Sequence, residues 1–476
     1  MKVVDKLEKF YDRNLILVVE GETNYCEYMS ESEKELVERL KERNNFTGKK
    51  GEVLSLNFIQ NDRLISMDIL GFGKKEEIGK KEEISDNLFR EVIFKYLSDK
   101  KGSILISTNT KELVKVEILC EIVGNINYSF DEFKEKKSEK LDVEFFNIEL
   151  TNLEESLILN EATDVTRNLV DLPANIINPI TLAERTVELG KEFGFEVEVL
   201  DDNKIQELGM NLLYSVGKAS VTKPRLIVMR YFGDRDSKDI MGLVGKGLTY
   251  DTGGLCIKPA DSMMNMKDDM TGGATVIGAM CAIAKNRLKK NVVAVVPACE
   301  NAINGNSYRP GDIIKSMNGK YVEIINTDAE GRLALADAIT YIVRNEKVSE
   351  IIDVATLTGA MMVALGTFTT GVFSNRDEVY SLLEKSCSKY GERIWRMPLD
   401  EEFAEDLKSD VADLKHMGAR WGGAISAAKF LEIFAEGTPW THMDIAGTAY
   451  NNSSKWYKKG ASGVHVRGLY EYCKNR

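Results

Sequence analysis

Over the first third of the chain, short apolar runs alternate with charged stretches whose apolar residues fall at helical spacing. Leu15–Val19, Val53–Phe58, Ile104–Ser107 and Val143–Ile148 have strand length and character, whereas Ser30–Arg43 and Ser85–Leu97 carry a helical period. Residues 1–150 therefore predict a small amino-terminal α/β domain. Two runs of mixed charge within it, Lys74–Glu83 and Asp131–Lys140, read as solvated helix faces. Residues 151–173 predict one connector helix, because Leu153, Leu157, Val165, Leu169 and Leu172 lie close to helical spacing and Pro173 stops it. From 174 to 476 the alternation becomes regular. Helices Leu182–Phe193, Asn203–Leu208, Gly272–Lys285 and Asp377–Tyr390 are interspersed with strands Val197–Leu200, Arg225–Arg230, Ile240–Val244, Val292–Val296, Val322–Ile325, Glu350–Val354 and Thr370–Phe373. This pattern predicts an α/β protein of two domains, the second holding a mostly parallel central sheet flanked by helices.

Length agrees, since 476 residues exceed what one core organises. A net charge of −12 works against a nucleic-acid surface, where Lys and Arg must neutralise phosphates. No apolar run is long enough to span a bilayer, and the charged start MKVVDKLEKFYDRN does not read as a signal peptide, so a cytoplasmic location is expected. The cysteines number seven, scattered and never in a C-x-x-C pair, which predicts thiols and not staples. His416, His442 and His465 are too dispersed for a histidine-based zinc site and read as structural or surface residues. The four tryptophans read as packing or interface residues. Any metal must rely mainly on oxygen.

Such oxygens occur in the segment Ile324–Leu335, IINTDAEGRLAL. It reads as the end of a buried strand, an extended polar loop with Asp328, Glu330 and Arg332, and a helix from near Leu333 toward Val343. Ligands of open α/β sheets bind outside the carboxyl ends of strands. Alternate residues of an extended loop share a side, so Asp328 and Glu330 can present two carboxylates to one point, where they repel unless a cation lies between them. Alone, D-x-E-x-R reads more readily as a helix cap with a paired arginine. A second cluster shifts the balance. Strand Ile240–Val244 runs into GKGLTYDTGGLCIKP, a glycine-dense loop with Lys246, Asp251 and Lys258, and Asp268 and Asp269 come before the next helix. The glycine spacing matches neither the dinucleotide fingerprint nor the P-loop. Four carboxylates, Asp251, Asp269, Asp328 and Glu330, suffice for two divalent ions, typically about 3.5 to 4 Å apart, which predicts a dinuclear hydrolase.

The segments VGKGLTYDTGGLCIKP, MKDDMTGGA and NTDAEGRL, in this order and spacing, resemble the leucyl aminopeptidase family of cytosolic two-metal exopeptidases. The resemblance continues through TRNLVDLPANIINP, DVATLTGAM, RMPL, LKSDVADLK and EGTPWTHMDIAGTA, and is weaker in the amino-terminal domain, where it rests on LGFGKKEE. It implies that Asp251 and Glu330 bridge two metal ions, Mn or Zn by preference, with Lys246 and Asp269 completing the tighter site and Asp328 the more exchangeable one. It further implies that Lys258 stabilises the oxyanion and that Arg332 holds a bicarbonate acting as general base. Backbone at Leu357 and Gly359 would meet the substrate main chain, and Met266, Thr356 and Ala446 would line an apolar pocket suited to an amino-terminal Leu or Met. Relatives often carry a larger apolar residue where this chain has Ala449, which bears on the depth of that pocket. Peptide substrates and a homohexamer are implied as well. Two other readings stand beside this one: a two-metal hydrolase of phosphate esters, for which Lys246 and Asp269 have no evident use, and a relative with an added DNA-binding or regulatory role, which the net charge opposes.

Overall fold

A computed structural model describes residues 1–4, 11–20, 29–60, 63–74, 82–108, 116–146, 152–451 and 456–476. The chain divides into two compact units, Met1–Asn160 with Ser453–Lys458, and Glu161–Asn452 with Lys459–Arg476. Helix Leu153–Asp171, which the spacing predicts, contributes to both.

In the first unit, six strands form one sheet in the order Lys2–Val4, Asp142–Phe146, Ser103–Thr108, Arg13–Val18, Arg63–Gly71, Val53–Gln60. All neighbours are parallel except the last two, which pair antiparallel. Helix Glu31–Asn44 begins with a capping box between Ser30 and Glu33 and ends on Asn45 in the left-handed region, as the polar signals at its ends require. Three elements escape the sequence pattern, strands Lys2–Val4 and Arg63–Gly71 and helix Val116–Asn127. That helix is buried on nearly every side. It even buries Glu121, paired with the equally buried Arg90 at 3.0 Å. Residues 131–140 form exposed turns and not a helix face, because Asp131 accepts from Ser138 N–H and Lys137 Nζ binds the carbonyls of Asp131 and Glu132. Of the other charged run, residues 75–81 lie outside the described residues.

The second unit is built on the sheet Ile394–Arg396, Thr370–Ser374, Trp440–Asp444, Glu350–Ala355, Met241–Gly245, Asn291–Asn301, Arg225–Phe232, Glu196–Leu200, with Gly247–Asp251 pairing beside Asn291–Asn301. Its centre is parallel and antiparallel pairs lie toward both edges, as expected of a mostly parallel sheet. Helix Thr271–Lys285 lies across the middle and is buried from Thr271 to Ala284. Glycine permits this approach: a Cβ on Gly272 would stand 2.0 Å from the Val354 carbonyl oxygen, and one on Gly245 would stand 2.4 Å from that of Gly272. Among the described residues no helix is long and apolar enough to cross a membrane.

One expectation fails here. The residues before the NTDAEGRL segment do not form a buried strand of the central sheet; Tyr321–Glu323 is a short strand of a separate three-stranded sheet, between Ile313–Lys315 and Leu414–Lys415. Tyr321 and Ile325 are exposed, and only Val322 and Ile324 turn inward.

Candidate metal centre

Three loops converge at the carboxyl end of the parallel strands. Strand Met241–Gly245 ends at Lys246, whose N–H donates to the Val354 carbonyl at 3.0 Å and whose carbonyl accepts from Gly273 at 2.7 Å. The next residues, Gly247–Asp251, form a further strand and not the loop that the glycines suggest, with a register shift between Leu248 and Tyr250. Asp251 thereby ends a strand beside Asn301, its partner in register. Asp269 sits in the 3₁₀ turn Met266–Met270, immediately before the central helix. Asp328 lies on a tight turn, not an extended loop, with Ala329 N–H bonded to the Asn326 carbonyl at 3.1 Å. Glu330 directly precedes helix Gly331–Tyr341.

The side chains meet as two interleaved groups. Lys246 Nζ stands 2.8 Å from Asp269 Oδ1 and 3.0 Å from Glu330 Oε1, and donates to the Thr356 carbonyl at 2.9 Å. Lys258 Nζ stands 2.9 Å from Asp251 Oδ2 and 2.5 Å from Asp328 Oδ1. Carboxylate oxygens of Asp251, Asp328 and Glu330 lie within 4.8 Å of one another. Gly331 presses against this cluster, since a Cβ there would stand 2.4 Å from Lys246 Cε.

Burial and mutual repulsion raise the proton affinity of Asp269, Asp328 and Glu330. Burial, then the neighbouring Asp251 charge, pushes the Glu330 carboxyl up to about 7. Asp269 is raised well above the ordinary carboxylate range by burial, against the pull of Lys246. For Lys246 and Lys258, burial opposes the charge, but the surrounding carboxylates outweigh it and hold both ammoniums above the usual lysine range. Asp269 Oδ2 and Glu330 Oε2 are buried and have no hydrogen-bond partner among the described residues. Oxygens left unpaired in this way are costly unless a cation completes them. The donor set, four carboxylates and an amine in reach of one another, fits divalent ions.

Residues without a role in the sequence reading hold the loops together. Asn301 Nδ2 donates to Asp251 Oδ1 at 2.8 Å and to the Thr327 carbonyl at 2.9 Å. Thr327 Oγ1 donates to the Gly253 carbonyl at 2.7 Å and accepts from Cys256 N–H at 2.8 Å. Only their positions at a strand end and inside NTDAEGRL hinted at this. Arg332 is buried behind Glu330, its Nη1 donating to the His416 carbonyl at 3.0 Å and its Nε without a partner among the described residues. Burial lowers its proton affinity to about 10. Of the residues expected to meet substrate, Met266, Thr356, Leu357 and Ala446 are half-buried and Gly359 is exposed. Thr356 is tied into the cluster, its Oγ1 donating to Asp269 Oδ1 at 2.9 Å. Ala449 is buried.

All three histidines are buried, none at the surface. His442 Nδ1 meets Asp353 Oδ1 at 2.5 Å. His465 approaches Cys387 and Glu392, but Glu392 is already occupied by the N–H groups of His465 and Gly468, a cap for helix Val466–Asn475. Cys256, Cys281, Cys299, Cys387 and Cys473 are thiols, as expected. Trp440 is buried and Trp456 nearly so, whereas Trp395 and Trp421 are exposed. His416 fastens the NTDAEGRL segment: Nδ1 accepts from Ile325 N–H at 3.2 Å and Nε2 meets the Asn326 carbonyl at 2.9 Å. Burial, with Arg332 nearby, lowers its proton affinity to about 4. The unfolded chain therefore takes up a proton near 6.5 that the folded protein refuses, and stability falls as pH drops from 6.5 toward 4, by about 3 kcal/mol in all. Thermal melts at pH 7 and pH 5 should show this loss, and His416→Gln should flatten the dependence. Equal slopes in wild type and variant would refute it.

The description "Cytosol aminopeptidase family, catalytic domain" matches residues 164–470, and "Cytosol aminopeptidase family, N-terminal domain" matches residues 19–137. A protein of Fusobacterium nucleatum named "Probable cytosol aminopeptidase" is 45% identical over 476 residues, covering 99% of this chain and 98% of the relative. One of the same name from Aquifex aeolicus is 42% identical over 485 residues, covering 98% and 96% respectively. Among solved structures, the bottromycin maturation enzyme BotP in complex with Mn superposes with a TM-score of 0.83 at 28% identity, covering 98% of this chain and 99% of that one.

Fold and site together define a metal-dependent hydrolase on a mostly parallel α/β sheet. The chain belongs to the cytosol aminopeptidase family, so it is a metal-dependent aminopeptidase acting on peptides through divalent ions.

Proposed function

We propose that the protein is a two-metal leucyl aminopeptidase, releasing Leu and other apolar residues from peptide amino termini. The observation that carries this reading is the pair of lysine-centred groups, Lys246 with Asp269 and Glu330, and Lys258 with Asp251 and Asp328. Asp251 and Glu330 would bridge two ions, Mn or Zn. Lys246 and Asp269 would complete one site and Asp328 the other. When bound, the ions supply a water acidified to act near neutral pH and a polarised scissile carbonyl.

The remaining steps fall to side chains. Asp269 accepts a hydrogen bond from the free α-amine, so an internal peptide bond goes unrecognised. Lys258, released from its carboxylates, turns its ammonium to the developing oxyanion, where charge is worth more in the transition state than in the ground state. Arg332 would hold a bicarbonate as proton acceptor, and its Nε, without a partner among the described residues, suits that task. Met266, Thr356 and Ala446 would line the side-chain pocket. Discrimination there stays broad, since one methylene changes selectivity only by roughly 10 to 200 fold. Exposed apolar side chains such as Val363 and Trp421 fit burial within a homohexamer.

The test is release of leucine from Leu-Gly and leucine p-nitroanilide by metal-stripped protein, before and after addition of Mn or Zn. Activity restored by metal, and absent with an amino-terminally acetylated substrate, is the expected result. A folded, metal-loaded protein that releases no leucine would overturn the assignment.

A further inference from the structure

Asp444 lies outside the carboxylate cluster, yet it is the hub of the substrate side of the site. It is the last residue of strand Trp440–Asp444, in register with Ala355, and 1% exposed. Its Oδ1 accepts from the N–H groups of Leu357 at 3.3 Å, Thr358 at 3.4 Å and Ala446 at 3.2 Å. Its Oδ2 accepts from Thr358 Oγ1 at 2.6 Å. One carboxylate thus takes four donors from two loops, the one after strand Glu350–Ala355 and the one after its own strand.

The other end of the first loop is held by the metal centre. Lys246 donates to the Thr356 carbonyl and Thr356 Oγ1 to Asp269, so residues 356–358 are strapped between the carboxylate cluster and Asp444. The strap decides which backbone groups face outward. With the N–H groups of Leu357 and Thr358 turned to Asp444, the Leu357 carbonyl and the Gly359 N–H are what this stretch retains for an extended chain alongside it. The same oxygen fixes Ala446, which belongs to the proposed side-chain pocket.

We propose that Asp444 is a positioning residue that sets the register of the bound peptide against the metal centre, by holding the Leu357–Gly359 backbone and Ala446 in one arrangement. The inference rests on the aminopeptidase reading, and it assigns to Asp444 a share of substrate binding and none of the bond-breaking. A carboxylate suits the task because both oxygens accept. An asparagine keeps one acceptor for the three N–H groups and can meet Thr358 Oγ1 only by reversing that hydrogen bond.

The test uses the full-length, metal-loaded protein with Asp444→Ala, Asp444→Asn and Thr358→Val. For Leu-Gly, Asp444→Ala should raise KM by about tenfold or more with kcat within about threefold of wild type, and Asp444→Asn should recover part of the loss. Metal content should stay at the wild-type level in all three. Calorimetric binding of a Leu-Gly analogue with a reduced peptide bond should weaken in parallel with the rise in KM. If Asp444→Ala does not fold, Asp444→Asn and Thr358→Val still carry the prediction. A lowered melting temperature with KM unchanged in both would make Asp444 a purely structural residue and overturn the proposal, as would a fall in kcat at constant KM. A wild-type protein that loads metal but cleaves no peptide would count against the aminopeptidase reading itself.

Discussion

Glu330→Gln is expected to lower kcat/KM for Leu-Gly by roughly 10³-fold or more, about 4 kcal/mol of transition-state stabilisation, while the metal-free protein melts no lower than wild type. The two halves have one cause. Glu330 is buried among Asp251, Asp269 and Asp328, with Oε1 on Lys246 and Oε2 unpartnered among the described residues, and burial has pushed its carboxyl up to about 7. Without ions, this acid is a cost to the fold that the isosteric amide removes. In the proposed bridging role both oxygens would hold ions, and the amide offers only one. Metal analysis should find fewer ions bound per chain in the variant, and calorimetry should find the melting temperature kept. Full activity in Glu330→Gln would remove the residue from the bridging role. Stability traded for function in this way is the usual economy of active sites.

Lys258→Met should separate chemistry from metal loading. In the proposed assignment, removing the ammonium would withdraw charge from the oxyanion and should lower kcat by roughly 10² to 10³ fold, with little change in KM. Loading should move the opposite way. Lys258 Nζ lies 2.9 Å from Asp251 and 2.5 Å from Asp328, so in the metal-free protein it competes with incoming ions for the same oxygens. Half-saturation should therefore occur at a lower Mn or Zn concentration in the variant than in wild type. Weaker loading would mean that Lys258 organises the site and does not compete for it.

Much of this site was legible in the chain because its parts lie in short segments with distinctive chemistry. Lys246, Asp251, Lys258 and Asp269 fall within one stretch, Asp328, Glu330 and Arg332 within another, and alternating apolar runs place both at strand ends. The local shapes were not legible. Gly247–Asp251 is a strand although glycines frame it, because pairing with Asn291–Asn301 overrides local propensity. The residues before Asn326 look like a core strand by composition, yet only Val322 and Ile324 turn inward. Supporting residues were the least legible. Asn301, His416 and Asp444 act through backbone groups far along the chain, and such contacts leave no periodicity or spacing to read.

Lys246 and Lys258 also bear on how the protein is made. Two ammonium groups already offset part of the carboxylate charge at the heart of the site, so the apoprotein carries its own placeholder charges. A newly made chain is then expected to fold before it takes up an ion, unlike small domains that collapse only around zinc. Maturation then becomes an ion exchange within a finished scaffold. In the proposed assignment Lys246 would lose one proton on becoming a ligand, and chelation followed by resupply should run the exchange backward and forward on the same molecule.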